Sequence, residues 1–268
     1  MTGIQPGTTP LSARSSRVVA VRKLLRRKYR DQTRTFLAEG PQAVREALGR
    51  EVVVELFATA EAGGRHPELT AAAPRVTAVT EEALAGLAET VRPQGLVAVC
   101  DYLDGTAPRT GLAVVLHGVS DPGNAGTVLR TADAAGAGAV VFPDETVDPY
   151  NGKCVRASAG SLFHVPLVRG GDTAGHLDAF RSDGCRVLAA DAYGDTGLDE
   201  AVDSGALAGP TVWLFGSEAH GLPADLSKAA DLRVRVPIYG AAESLNLATA
   251  AAVCLYASAG EHAKRRPR

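Results

Sequence analysis

Long apolar runs are missing from this chain of 268 residues. The most apolar stretch, 245–259, falls about a turn short of the roughly 18 residues that a membrane-spanning helix needs, and Asn246, Thr249 and Ser258 interrupt it. Membrane insertion is not expected. The first eleven residues hold Gly, Thr and Pro but neither an apolar core nor a basic cluster ahead of one, which argues against a signal peptide and for a cytoplasmic protein. Cysteine is scarce. Cys100, Cys154, Cys185 and Cys254 are far apart, form no C-x-x-C pair and have no histidine at metal spacing, so they read as buried thiols and no metal site is expected. Nucleotide fingerprints are missing too. A P-loop would need Lys-Ser or Lys-Thr after its second glycine, where Gly123 is followed by Asn124 and Ala125. The nearest approach to a dinucleotide fingerprint, Gly136-Ala-Gly138, lacks the third glycine and runs into a strand.

What is present is an ordinary globular composition, 46% hydrophobic and 22% charged, in a chain long enough for two cores. The charge is unevenly placed. Nine Lys/Arg against the single acid Asp31 give residues 14–34 a charge of +8, and residues 264–268 add +4, against a total of −2. The rest of the chain therefore carries −14, and a polyanion would be gripped at the basic segments. Within residues 16–29, Val18, Val21, Leu25 and Tyr29 fall at helical spacing, while Arg22, Arg26, Arg30 and Arg34 form an i, i+4 stripe on another face. Guanidinium groups in such a row suit RNA phosphates, and a solvated face is the bland alternative.

Strands and helices alternate along the chain, which predicts an α/β fold. Strands are expected at 35–40, 52–57, 76–79 and 96–100, with helices at 41–48 and 81–89. Further strands are expected at 113–117, 139–142, 165–168, 186–190, 211–215 and 234–236. The short buried strands after residue 113 argue for a parallel sheet with its ligand crevice outside the carboxyl ends. The expected organisation is a flexible start at 1–13, a small α/β RNA-binding domain at 14–104, a Gly/Pro/Asp/Thr-rich linker at 105–112, a second domain at 113–262 and a basic tail at 263–268. Ser244, ahead of the Ala/Leu-rich helix, reads as its N-cap.

Three polar loops follow strands in the second domain: 121–130 (DPGNAGTVLR), 214–221 (LFGSEAHG) and 236–246 (VPIYGAAESLN). Together and in this order they resemble the SpoU-type (TrmH-like) RNA ribose 2'-O-methyltransferases of the SPOUT superfamily, and residues 156–160 (RASAG) match a lesser segment of that family. The resemblance covers residues 113–260, and residues 14–100 look similar to the substrate-binding domain that often precedes it. It implies a parallel sheet whose C-terminal part forms a deep trefoil knot, a homodimer, and S-adenosylmethionine as methyl donor. Positions matching Gly216, Val236 and Leu245 would contact the donor, and a glycine at 216 would let the chain approach the adenosine. Arg130 matches the family's arginine, as base or as phosphate clamp, supported by Asn124, Glu218, Ser244 and Asn246. Taking a guanidinium, whose pKa lies far above neutrality, to its neutral form near pH 7 costs roughly 8 kcal/mol, which weighs against the base. Asn124 either holds Arg130 or caps the adjoining helix, Glu218 pairs with Arg130 or with the partner subunit, and Asp121 starts a turn.

The implied reaction is methyl transfer to a ribose 2'-hydroxyl of ribosomal RNA (23S), with a tRNA substrate as the alternative. An inactive RNA-binding module and a small-molecule α/β enzyme are the competing classes. The first would have no use for the motif residues, and the second leaves the +8 segment without a role.

Overall fold

A computed structural model of the protein describes residues 9–103, 105 and 111–265. Most of the expected linker and the last three residues of the basic tail lie outside them, as do residues 1–8. The chain forms two units, residues 1–103 with 150–163, and residues 104–149 with 164–268. The segment 150–163, expected in the second domain, thus groups with the first unit.

The first unit is built on a mixed sheet of β1 (Thr35–Glu39), β2 (Val53–Ala58), β3 (Val76–Ala78) and β4 (Leu96–Asp101) in the order β1-β4-β2-β3. The central strand β4 runs antiparallel to both neighbours, while β2 and β3 are parallel. β4 is buried on both faces along Leu96–Cys100, which explains its unbroken apolar sequence. Leu11, expected in the flexible start, bonds to β3: its N–H donates to the Ala78 carbonyl at 2.8 Å and its carbonyl accepts from Thr80 at 3.0 Å.

The expected basic helix is broken, and the arginine stripe with it. Helix Ser16–Arg22 passes into a 3-10 turn, Lys23–Leu25, then Arg26 is extended (φ −107°, ψ 130°) and a second helix covers Arg27–Thr33. The cause is visible in the core. Val18, Val21 and Leu24 are buried at a spacing of three, which fits the tighter turn, whereas the four-residue step to Leu25 does not. Arg30 is buried with its Nη1 donating to the Leu24 carbonyl at 2.9 Å, so it satisfies backbone at the break instead of facing solvent. Arg22 is half-buried and donates to the Gly86 carbonyl, and Arg34 lies 4.7 Å from the Tyr102 ring centre. Of the nine basic residues at 14–34, only Arg22 and Arg30 are not exposed.

The second unit is a seven-stranded, all-parallel sheet. It comprises β5 (Leu112–Leu116), β6 (Ala139–Phe142), β7 (Leu167–Arg169), β8 (Arg186–Ala190), β9 (Thr196–Gly197), β10 (Thr211–Phe215) and β11 (Leu232–Arg235), in the order β7-β6-β5-β10-β8-β11-β9. β5 and β10 are buried at every position, as a parallel sheet covered by helices requires. The C-terminal helix Leu247–Arg265 returns over the sheet and packs on helix Pro122–Ala134. It buries Ala248, Ala251, Leu255 and Ser258, one side of a helix, and the Ser258 hydroxyl accepts from the fully buried Trp213 indole at 2.9 Å. All four cysteines are buried free thiols, and burial pushes the Cys254 thiol up to about 12. Among the described residues no helix is long and apolar enough to cross a membrane, and no group of His, Cys, Asp or Glu could hold a metal.

Candidate active site

The strand order places a crevice. From β5 the chain leaves toward β6 on one side, and from β10 it leaves toward β11 on the other, so the loops after these neighbours part at their carboxyl ends. Such a switch point is where open α/β sheets bind ligands. The register Phe215↔Leu116 brings the loops out at one level, and the His117 N–H donates to the Phe215 carbonyl at 2.8 Å.

Three loops converge there through one network. Glu218, in the loop after β10, accepts from the backbone N–H groups of Ser120 and Asp121, both at 3.2 Å, and from the Asn124 amide at 3.0 Å. Asn124 Oδ1 in turn accepts from Asn246 Nδ2 at 3.1 Å. Asn246 Oδ1 accepts from the Ala248 N–H at 2.9 Å, which makes Asn246 the cap of the C-terminal helix. Burial works against the Glu218 charge, but the hydrogen bonds from Asn124, Ser120 and Asp121 outweigh it and hold the carboxyl below the usual glutamate range.

Several expected roles change accordingly. Ser244 is exposed and lies ahead of the helix, whose cap sits two residues later at Asn246. Asn124 caps nothing. Asp121 does so, with its carboxylate accepting from the Asn124 N–H at 3.1 Å. Within the chain, Arg130 meets neither Glu218 nor Asn124. It is exposed, two turns along helix Pro122–Ala134, with no ion pair or hydrogen bond to any described residue. Ser120, whose hydroxyl also donates to Glu218 at 3.3 Å, and Asp121 were missed as its partners because two of the four donors are backbone N–H groups, which leave no mark on the side-chain pattern. Gly216 is buried, and a Cβ there would overlap the Gly221 carbonyl of its own loop, where Ser217 and Gly221 exchange two backbone hydrogen bonds of 3.0 and 2.9 Å. The need for glycine therefore arises inside the loop.

The third loop is built differently. Among the described residues no backbone hydrogen bond involves 236–245. Val236 is half-buried, while Ile238 and Leu245 are 38% and 37% exposed. Partly exposed apolar side chains and backbone groups without partners thus share one loop, a combination suited to a partly polar ligand.

The acid sensitivity of this network has a defined sign. A carboxyl whose pKa is depressed on folding stabilises the fold above its unfolded value and loses that contribution as pH falls through the folded one. The unfolded value is about 4.5, so the loss falls below that. Between pH 7 and pH 3 the melting temperature of the protein is expected to drop further than that of Glu218→Gln, and parallel curves would contradict the network.

Comparison with known proteins places these features. Residues 111–256 match the model of the SpoU rRNA Methylase family, and residues 15–98 that of the MRM3-like substrate binding domain. The 23S rRNA (guanosine(2553)-2'-O)-methyltransferase RlmP of Bacillus subtilis is 36% identical over 246 residues, covering 91% of this chain and 96% of that protein. The crystal structure of an AdoMet-bound rRNA methyltransferase from Sinorhizobium meliloti superposes with a TM-score of 0.82 at 31% identity, covering 93% of this chain and 97% of the other. That of the SpoU methyltransferase AviRb from Streptomyces viridochromogenes, in complex with AdoMet, gives 0.83 at 28%, covering 93% and 100%.

Proposed function

Because the chain belongs to the SpoU rRNA methylase family, we infer that it transfers the methyl group of S-adenosylmethionine to a ribose 2'-hydroxyl of 23S ribosomal RNA. The observation that carries this reading is the junction of the three loops through Glu218, Asn124 and Asn246 at the switch point of the parallel sheet. The loop 236–245 fits the donor, because its backbone groups have no partner among the described residues and would be free to bond a polar ligand beside the apolar Val236 and Leu245, which would hold it. When bound, the donor supplies an electrophilic methyl carbon on a sulfonium sulfur. The chain's residues must then align the hydroxyl oxygen with that carbon and handle one proton.

Glu218 is a poor base here, since its charge is already engaged by four donors and its pKa is depressed. We assign it to holding Asn124 and the start of helix Pro122–Ala134 in place. Asn246 Oδ1 is committed to its helix and one N–H of its amide to Asn124, which fixes the amide and leaves the second N–H to position polar groups in the crevice. Arg130 acts as a phosphate clamp, which its exposure and its lack of partners among the described residues support.

The active form is a homodimer paired through the C-terminal helix. Val253 and Tyr256, 40% and 58% exposed, lie on the side of that helix turned from the sheet, and an exposed apolar side of this kind is what a self-complementary interface buries. The partner's loops would then meet the exposed Arg130. Sedimentation at micromolar concentration is expected to give the dimer mass, and a fully active monomer would contradict it. The return of the C-terminal helix over β5, β10 and β8 supports a trefoil knot, and a ribosomal RNA substrate supports a cytoplasmic location. Purified protein with labelled donor is expected to label ribosomal RNA and leave tRNA unlabelled. Label on tRNA alone would overturn the substrate assignment.

A further inference from the structure

The first unit carries a cleft of about 330 Å³, at the low end of the roughly 300–1,000 Å³ typical of small-ligand sites. Its walls come from the start of helix Pro41–Gly49, the segment ahead of β4, and helix Gly152–Ala157 with the two glycine-like turns after it. Three lining residues, Gly40 (φ 91°), Ala159 (φ 51°) and Gly160 (φ 101°), adopt left-handed backbone. Ala159 matters most, because a Cβ disfavours that conformation and strained residues of this kind gather at ligand sites. Its carbonyl is fixed by Gln42 Nε2 at 3.0 Å. A Cβ on Gly40 would come within 2.9 Å of Gln94 Oε1, so the glycine lets Gln94 lie over the wall.

The polar groups of the cleft divide into committed and uncommitted. Arg156 Nη1 is held by Glu89 at 3.0 Å and Glu39 at 3.4 Å. The Gln94 amide and the Arg92 guanidinium are exposed, and among the described residues neither has a hydrogen bond or ion pair. Val91, beside Arg92, is 98% exposed.

We propose that this cleft takes one unpaired nucleotide of the RNA substrate, an assignment that rests on the RNA methyltransferase reading above. The Gln94 amide presents a donor and an acceptor side by side, which complements the edge of a base. An arginine at the rim can stack on a splayed base or fork onto its phosphate, as recognition of single-stranded RNA commonly requires. Residues of the first unit alone line the cleft, and none belongs to the three loops of the second unit. The contact is thus one of recognition, equal in the ground and transition states, and it acts on KM and not on kcat.

The test uses the full-length protein with Arg92→Ala and Gln94→Ala combined, assayed for methyl transfer to a 23S rRNA transcript. We expect KM for the RNA to rise at least about tenfold, with kcat at saturating RNA and donor affinity by calorimetry unchanged, since uniform binding alone is removed. An unchanged KM overturns the proposal, and so does a fall in kcat at saturating RNA whatever KM does. If the wild-type protein methylates no RNA, the enzymatic reading has failed. The cleft is then judged by titrating the four nucleoside 5'-monophosphates and following the backbone amides of Gly40, Gly95 and Gly160. Shifts that vanish in the double variant support a nucleotide site, and their absence overturns it.

Discussion

Gly216→Val is expected to lower the affinity for S-adenosylmethionine by about 100-fold or more, about 2.8 kcal/mol, while leaving the parallel sheet folded. A Cβ at this position would overlap the Gly221 carbonyl, and valine adds two further methyl groups to a closed turn. The loop can admit them only by breaking the hydrogen bonds between Ser217 and Gly221 and swinging away. That displaces Glu218, two residues on, and with it the link to Asn124. The residue lies just past the end of β10, so the strand's pairing with β5 and β8 is left alone. Calorimetry with the donor decides it, with circular dichroism as the check on folding. A donor affinity within about twofold of wild type would show that the loop tolerates the change and that its closed form is not what the donor needs.

Arg130→Ala has the opposite signature. Methyl transfer should fall by about 10²–10³-fold or more in kcat, the usual cost of removing one charge-stabilising donor from an active site, while donor binding stays within about twofold. The side chain is exposed and bonded to no described residue, so its removal leaves no broken contact in the isolated chain. The melting temperature should therefore hardly move. Arg130→Lys should recover little, because an ammonium cannot fork onto a phosphate as a guanidinium does. Loss of donor affinity in Arg130→Ala, with transfer intact at saturating donor, would reverse the roles given to the two loops.

Sequence and structure part company at identifiable physical points. The sheet of the second unit was legible because its longer strands are continuous apolar runs bounded by polar loops. The two-residue β9 (Thr196–Gly197) carries no such pattern and went unseen. The basic segment misled because Leu24 and Leu25 are both apolar, so the spacing allowed either a continuous α-helix or a tighter turn. Burial of Leu24 and Arg30 settles it for the tighter turn. Ser244 and Asn246 are both good helix caps two residues apart, and only the folded chain decides between them. At Gly216 the resemblance implies a close approach of the donor, and the folded chain adds a second demand for glycine, the backbone of Gly221, which no sequence pattern reports. The grouping of residues 150–163 with the first unit has no sequence signal, because order along the chain does not report which core a segment joins.

The central claim is that the methyl group goes to a ribose oxygen and not to a base. Alkali cleaves RNA through attack of the free 2'-hydroxyl on its own phosphodiester, so a 2'-O-methyl group leaves one linkage intact in an otherwise complete ladder. Incubating unmodified 23S rRNA with the purified protein and S-adenosylmethionine, followed by limited alkaline hydrolysis, should produce a single new gap, absent when Arg130→Ala replaces the wild type. A complete ladder, together with a methylated base recovered from the same RNA, would contradict the account.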